Sequence, residues 1–212
     1  TRVTELAQRS GLRVVPTGIK HGTVTIVVEG EPVEVTTFRR DVATDGRRAV
    51  VAFTDDVRED ALRRDFTMNA LYVDRRGDLL DPLGGYDDVM ARRVRFIEDA
   101  DQRLQEDYLR ALRFFRFTAR YAEGADLDRD ATAAIARHLD GFSHLSAERI
   151  GSEVVKILSV NSPSATLKKM ADLGVMARIL PGSQVDDVQF LEAAERHLNL
   201  GPDPIRRLAA LD

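Results

Sequence analysis

The side chains best suited to chemistry are concentrated in the stretch Glu106–Arg120, which reads EDYLRALRFFRFTAR. At about 100° per residue, one face of a helix over this stretch gathers a glutamate and four arginines within an arc of about 120°. These residues are Glu106, Arg110, Arg113, Arg116 and Arg120, with Asp107 at the flank. Phe114 and Phe117 lie among the arginines, so the pattern predicts an enclosed helix whose arginines line a cleft for an anionic ligand. The alternative is an exposed helix stabilised by i,i+4 pairs such as Glu106 with Arg110.

Two further stretches carry polar side chains that a catalytic site could use. Glu34 lies in the middle of a predicted strand, where a carboxylate either faces solvent or ligates Mg²⁺ from a rigid support. The segment RRDFTMNA is either an ordinary charged helix end or a contact for a nucleotide's triphosphate and sugar. Its polar residues are Arg63, Arg64, Asp65 and Asn69.

Several common kinds of site have no support in the sequence. The chain contains no cysteine, which excludes disulfides, thiolate metal sites and a cysteine nucleophile. Its four histidines do not have zinc-binding spacing, and no Ser/His/Asp arrangement can be argued. The glycines of GIKHG at Gly18–Gly22 match neither a P-loop nor a dinucleotide fingerprint, and they predict a turn into a strand.

Composition sets the broad class of protein. The 212 residues are 43% hydrophobic and 31% charged, with a net charge of −4, so a nucleic-acid surface must be a local basic patch. The sequence shows no apolar run of membrane-spanning length and no signal-peptide pattern, so we expect a cytoplasmic protein without membrane association. Because the first residues read as a helix already under way, we expect further chain before Thr1.

The elements that must position these residues predict an α+β first part and an all-α second part. Alternating strands at Thr23–Val28 and Val33–Phe38 form a hairpin around Gly30, and polar Arg39–Ala49 reads as a long loop. Further strands are predicted at Ala49–Phe53 and Leu71–Asp74, and short helices at Thr1–Arg9 and Asp55–Leu62. Later helices are predicted at Tyr86–Arg92, Gln102–Tyr121, Asp128–His138, Ala147–Leu158, Pro163–Leu173 and Val188–Asn199, with Ser146 as a cap.

Six segments, in order along the chain, together resemble one family. They read TGIKHGTVT, EVTTFR, DGR, RRDFTMNA, EDYLRALRFFRF and ERIGSEVVKIL. They are similar to motifs of the bacterial class II tRNA nucleotidyltransferases, the CCA-adding enzymes, and of the related bacterial poly(A) polymerases. The resemblance implies a polymerase-β-like nucleotidyltransferase head and helical neck and body domains, at residues 1–84, 85–160 and 161–212.

The resemblance also implies roles for individual residues. Glu34 would be a catalytic carboxylate that ligates Mg²⁺, and Asp45, Gly46 and Arg47 would belong to a flexible loop that helps the switch from C to A addition. The nucleotide-binding residues would be Arg63, Arg64, Asp65, Asn69, Glu106, Asp107, Arg110, Arg113 and Arg116. A neck motif of mainly structural role matches Glu148, Arg149 and Glu153. Because the family's GG and DxD motifs lie upstream of the first segment seen here, we expect this chain to be inactive alone.

The implied reaction is addition of C and A to the tRNA 3′ end from CTP and ATP, by two-metal phosphoryl transfer with release of pyrophosphate. Asp107 would accept from the exocyclic amino group of cytosine or adenine, and Arg110 would donate to the adjacent ring nitrogen. Uracil and guanine present the opposite groups, and each unpaired group costs about 1–3 kcal/mol. The alternatives are a relative that adds only CC or only A, a poly(A) polymerase, a non-catalytic RNA- or nucleotide-binding relative, and a helical scaffold; the intact DGR segment weakens the CC-only alternative.

Overall fold

The computed structural model describes residues 2–19, 22–44, 49–122 and 126–212. They group into two compact units, Thr1–Arg63 and Arg64–Asp212. The first combines strands with short helices and the second is mainly helical, which confirms the α+β class predicted from the sequence. No helix in these described ranges is long and apolar enough to cross a membrane.

The first unit is built around a three-stranded antiparallel sheet of β1 (Arg13–Gly18), β2 (Thr23–Val28) and β3 (Glu31–Thr36), in that order. The predicted hairpin between β2 and β3 is confirmed, and Glu29 and Gly30 have φ angles of 52° and 90°. Positive φ at both central residues is typical of the type I′ turn that suits the twist of paired strands. The elements of this unit are α1 (Arg2–Arg9), β1 (Arg13–Gly18), β2 (Thr23–Val28), β3 (Glu31–Thr36), β4 (Arg39–Thr44), β5 (Ala49–Phe53) and α2 (Val57–Leu62).

The prediction of a long loop over Arg39–Ala49 was wrong at its start. Residues Arg39–Thr44 form β4, which pairs antiparallel with β5 in a two-stranded sheet. Polar side chains misled the prediction, because pairing is made by backbone groups and an exposed hairpin tolerates charge on both faces. The predicted turn at Asp45-Gly46, the loop residue Arg47, and Lys20 and His21 lie outside the described residues.

The second unit begins with a 3₁₀ turn at Thr67–Asn69 and a small hairpin, and it continues as packed helices. Its buried core includes Phe66, Phe96, Leu112, Phe114 and Phe115, so the helix α5 (Leu109–Tyr121) lies at its centre. The strands are β6 (Tyr72–Val73) and β7 (Leu79–Leu80). The helices are α3 (Gly85–Met90), α4 (Ala100–Glu106), α5 (Leu109–Tyr121), α6 (Arg129–Arg137), α7 (Ala147–Leu158), α8 (Ser164–Asp172), α9 (Val175–Ile179), α10 (Val185–His197) and α11 (Pro204–Ala209), with a 3₁₀ segment at Leu139–His144.

The single helix predicted over Gln102–Tyr121 is two helices, α4 and α5. Asp107 lies between them with extended backbone, at φ −162° and ψ 106°. Its Oδ1 accepts a hydrogen bond from the backbone N–H of Leu109 at 3.1 Å. An aspartate that satisfies a free N–H in this way favours the start of a new helix over continuation of the old one. The glutamate and the arginines of the motif therefore lie on two helices that meet at a corner.

Candidate functional site

Glu34 lies in the middle of β3, as predicted, opposite Thr25 of β2. Its side chain is exposed, which is compatible both with simple solvation and with binding of a hard cation through carboxylate oxygens. Within the ranges that the structure describes, no group of three Asp, Glu, His or Cys side chains could hold a metal ion. The described residues thus offer a carboxylate that could contribute to a Mg²⁺ site without completing one.

The segment RRDFTMNA is divided between the two units after its first residue. Arg63 belongs to the first unit, where its Nε donates to Oδ1 of Asp41 at 3.0 Å. This ion pair links the end of α2 to β4, and both side chains are about one-fifth exposed. Arg63 therefore has a structural partner within its own unit.

The rest of the segment folds around the buried carboxylate of Asp65. Its Oδ1 accepts from the backbone N–H of Phe66 at 3.0 Å and from Nδ2 of Asn69 at 2.8 Å. Its Oδ2 accepts from Nε of Arg113 on α5 at 2.6 Å. Arg64 donates to the carbonyl of Asn69 at 2.9 Å. The structure thus brings together four of the residues that the sequence marked as nucleotide-binding: Arg64, Asp65, Asn69 and Arg113.

Glu106 and Arg110 hold the corner between α4 and α5. Glu106 accepts from Nη2 of Arg103 at 2.5 Å, and its other oxygen accepts from Nη1 of Arg110. Arg110 also donates to the carbonyl oxygen of Arg103 at 3.2 Å. The pair proposed as a simple i,i+4 contact on one helix is therefore a largely buried ion pair between two helices.

Asp107 at the same corner is held by Arg149 of α7. Nη2 of Arg149 lies 2.6 Å from Oδ2 of Asp107, while Oδ1 accepts from the backbone N–H of Leu109 at the start of α5. Asp107 and Arg110 are therefore each fixed by a different partner. An ionised carboxylate has about four acceptor sites, so these two hydrogen bonds leave Asp107 further acceptor capacity.

Tyr108, the next residue, packs the corner against the 3₁₀ segment. Its ring lies 6.1 Å from the ring of His138 and 5.9 Å from that of His144, measured between centroids. A Cβ atom at Gly141 would lie 2.2 Å from the Tyr108 ring, so only glycine allows this approach. The sequence did not predict the packing of Tyr108 or the contact between Asp107 and Arg149, because the residues that meet in each contact are far apart along the chain.

The middle of α5 presents two arginines above an aromatic ring. The guanidinium groups of Arg113 and Arg116 lie 5.5 and 4.5 Å from the centroid of Phe117. Nε of Arg116 donates to Oε2 of Glu153 on α7 at 2.7 Å, and Oε1 accepts from Lys156 at 2.9 Å. Burial acts to raise the pKa of Glu153, but the hydrogen bonds from Lys156 and Arg116 and their positive charges outweigh it and hold this pKa below its ordinary value.

These contacts define what α5 can do chemically. A guanidinium carries five N–H donors, and the ion pairs of Arg113 and Arg116 each use the Nε–H. Donors therefore remain for a second anion, and the side chain of Arg113 is one-third exposed. The arrangement could hold an anionic ligand with preoriented arginines, and the anion-binding cleft expected from the sequence stays a prediction.

Comparison with known proteins identifies the family. A protein-family model described as the Poly A polymerase head domain matches residues 1–95. A second family model, described as a probable RNA and SrmB binding site of polymerase A, matches residues 124–186. The mitochondrial CCA tRNA nucleotidyltransferase 1 of Mus musculus is 39% identical over 213 residues, which cover 100% of this chain and 49% of that protein. The chain belongs to the tRNA nucleotidyltransferase and poly(A) polymerase family.

Bacterial members of the nucleotidyltransferase family give the same result. The CCA-adding enzyme of Geobacillus kaustophilus is 39% identical over 184 residues, which cover 86% of this chain and 45% of that enzyme. The crystal structure of the Bacillus stearothermophilus CCA-adding enzyme in complex with CTP is 34% identical, with a TM-score of 0.74, and the match covers 86% of this chain and 44% of that one. This chain spans about half the length of the relatives that it matches.

Proposed function

We propose that this protein adds C and A to the 3′ end of tRNA, using CTP and ATP and releasing pyrophosphate. The observation that carries the proposal is the corner between α4 and α5, where a carboxylate and a guanidinium are each fixed by a separate partner. Relatives named CCA tRNA nucleotidyltransferase and CCA-adding enzyme, and a related structure that contains CTP, support it.

Selection of the nucleotide follows from the groups that this corner presents. Asp107 accepts a hydrogen bond from the exocyclic amino group of cytosine or adenine, and Arg110 donates one to the adjacent ring nitrogen. With uracil or guanine, an acceptor meets a carbonyl oxygen and a donor meets an N–H. Each mismatched group then loses its hydrogen bond on burial, which costs about 1–3 kcal/mol. Two amino-acid side chains can in this way act in place of a template base.

The nucleotide's triphosphate is negatively charged, and the arginines outside the selection corner balance this charge. Arg113 and Arg116 lie one helical turn apart on α5, and each retains N–H donors beyond its ion pair. Arg64, Asp65 and Asn69 form a compact turn attached to Arg113, and we assign this turn to orientation of the nucleotide. Arg63 is assigned with them from the sequence, although its partner is Asp41.

Magnesium ions, when bound, would stabilise the charge that develops on the transferred phosphoryl group. Glu34 would contribute one carboxylate to such a site, since it is exposed on a rigid strand and has the oxygen ligands that Mg²⁺ prefers. The described residues do not complete a site of this kind.

The test is extension of a tRNA that lacks its terminal CCA. The intact protein is incubated with CTP alone, with ATP alone and with both, and the products are sequenced. We expect two C residues with CTP alone and complete CCA with both nucleotides. Long A tails from ATP alone would instead identify a poly(A) polymerase, an alternative favoured by the names of the two matching family models. Binding of nucleotide without any incorporation would identify a non-catalytic relative.

A further inference from the structure

A polar cavity of about 290 Å³ lies where α5 and α7 end in the second unit. Arg120 of α5 and Lys156 of α7 supply its two cationic side chains. Ser159, Asn161 and Ser162, in the segment that follows α7, supply hydroxyl and amide groups. None of these five residues takes part in the nucleotide selection or triphosphate binding proposed above. The cavity therefore calls for a separate explanation.

The backbone at this cavity is less negative than a helix end would normally be. The last carbonyl groups of a helix carry partial negative charge and disfavour an anion. Here the buried guanidinium of Arg207 takes the carbonyl oxygens of Leu158 at 2.7 Å and Asn161 at 3.1 Å, and that of Val160 as well. The charge of Arg207 is balanced by Glu195, to which its Nε donates at 2.9 Å. The carbonyls that would repel an anion are thus engaged elsewhere.

The two cations of the cavity retain capacity for a ligand. Lys156 uses one of its three N–H donors on Glu153, and its side chain is 51% exposed. Each carboxylate oxygen of Glu153 accepts a hydrogen bond from a cation, one from Arg116 and one from Lys156, and its side chain is only 4% exposed, so its negative charge is balanced locally. No carboxylate within the described ranges forms an ion pair with Arg120. Its guanidinium lies 5.5 Å from the centroid of the Tyr121 ring.

The surroundings favour RNA as the source of the anion. Tyr121 is 45% exposed and stacks on Phe117, with ring centroids 5.7 Å apart. Cationic groups beside exposed aromatic rings are typical of surfaces that hold a nucleic-acid backbone and stack its bases. Four of the five polar residues of the cavity also lie within residues 124–186, the range matched by the RNA-binding family model. A free nucleotide requires no aromatic surface outside the selection corner.

We propose that this cavity, which we call the α5–α7 cavity, binds a backbone phosphate of the tRNA at a position separate from the nucleotide site. The inference rests on the proposed function, since it takes tRNA as the substrate. Arg120 and Lys156 neutralise the phosphate, and the hydroxyl and amide groups of Ser162 and Asn161 donate to its oxygens. The contact positions the RNA without reading its sequence.

A competing account is that Arg120 and Lys156 only stabilise the C-terminal ends of their helices. The double variant Arg120→Ala with Lys156→Ala separates the two, using the intact protein and tRNA affinity measured at several salt concentrations. The proposal expects affinity to fall by about 10-fold at low salt, and the slope of log affinity against log salt to decrease by about 1. The matched control is Lys168→Ala with Arg178→Ala, which removes one lysine and one arginine from exposed ion pairs of the same unit. This control should change the affinity by less than about 2-fold.

A second variant tests whether the effect comes from charge and not from lost side-chain packing. Ser162→Asp keeps both cations and places a negative charge in the α5–α7 cavity, so it should weaken tRNA binding while CTP affinity is unchanged. Lower thermal stability of the Arg120/Lys156 variant with wild-type tRNA affinity and salt slope would overturn the proposal in favour of the helix-end account. Altered inhibition by pyrophosphate with unchanged tRNA affinity would assign the cavity to a free phosphate compound and also overturn it.

These results can be distinguished from failure of the proposed function. A wild-type protein that neither binds nor extends tRNA contradicts the proposed function itself. A wild-type protein that extends tRNA normally, with both cavity variants equal to it in affinity and salt slope, contradicts only the assignment of the cavity.

Discussion

Substitution of Arg110 by alanine tests the template role most directly. The Arg110 side chain is 15% exposed and is fixed by Glu106 and by the carbonyl of Arg103, so its donors are oriented before any nucleotide binds. In Arg110→Ala the ring N–H of uracil or guanine no longer meets a buried donor. Selection against UTP and GTP should therefore weaken, while Asp107 still accepts from the amino group of cytosine or adenine.

The size of the effect follows from the cost of one mismatched group. A buried donor left without an acceptor costs about 1–3 kcal/mol, and 1.4 kcal/mol corresponds to a factor of ten. The ratio of kcat/KM for CTP over UTP should then fall by about 5- to 150-fold. Folding should be retained, because Glu106 keeps its hydrogen bond with Arg103 at 2.5 Å. The free energy of unfolding should fall by less than about 3–5 kcal/mol, the loss expected when a buried charge is left without any partner.

The assay is single-nucleotide addition to tRNA by the intact protein, with each of the four nucleotides in turn. Arg137→Ala is the matched control, since it removes an arginine that is paired with Asp101 and whose side chain is 57% exposed. Thermal unfolding of each variant shows that it is folded. If the CTP to UTP ratio of folded Arg110→Ala stays within about twofold of wild type, the template assignment is wrong.

Three further predictions concern single side chains. Glu34→Ala should lower the rate with CTP and ATP alike and change the free energy of unfolding by less than about 0.5 kcal/mol, because the side chain is exposed; unchanged rates would remove its catalytic role. Asp65→Asn should lower the free energy of unfolding in urea by about 1–3 kcal/mol, towards the lower end because Arg113 is one-third exposed, and no loss would contradict its central position in the turn. Burial acts to raise the pKa of Glu153, but Lys156 and Arg116 lower it by more, so this pKa lies below its ordinary value of 4.5. The ionised carboxylate therefore stabilises the fold above pH 4.5, and this contribution is lost as the pH falls through the lowered pKa. Glu153→Gln should therefore flatten the decrease in unfolding free energy below about pH 4.5, and identical pH profiles for variant and wild type would refute this.

Local sequence patterns predicted much of the secondary structure. The limits predicted for α7 are those observed, and Ser146 precedes it as expected, although its side chain makes no capping hydrogen bond. The β2–β3 hairpin around Gly30 was likewise predicted, because alternating β-branched residues and a positive-φ turn leave few alternatives. The short helices α9 and α11 were missed, since elements of five or six residues carry too few periodic positions to be recognised. The domain limits at residues 84 and 160 and the cytoplasmic location stay predictions.

The members of the candidate site were proposed from the sequence, and their arrangement came from the structure. Asp65 and Asn69 were marked from one segment and Arg113 from another, and the structure joins them through the buried carboxylate of Asp65. The break at Asp107 was missed because periodicity continues across it: the arginines keep helical spacing within α5 and Glu106 remains close to Arg110. Whether an aspartate continues a helix or caps a new one depends on what its carboxylate meets.

The sequence by itself determined the residue types that can recognise a nucleotide, the helical periodicity that gathers the arginines, and the family to which the chain belongs. Only the tertiary structure decided their partners. Arg149 is 42 residues from Asp107, and Glu153 is 37 residues from Arg116, and the packing of α7 against α5 brings each pair within hydrogen-bonding distance. A local pattern carries the preferences of the backbone over a few residues, whereas ion pairs between distant segments form only when the burial of apolar surface has fixed how the helices pack.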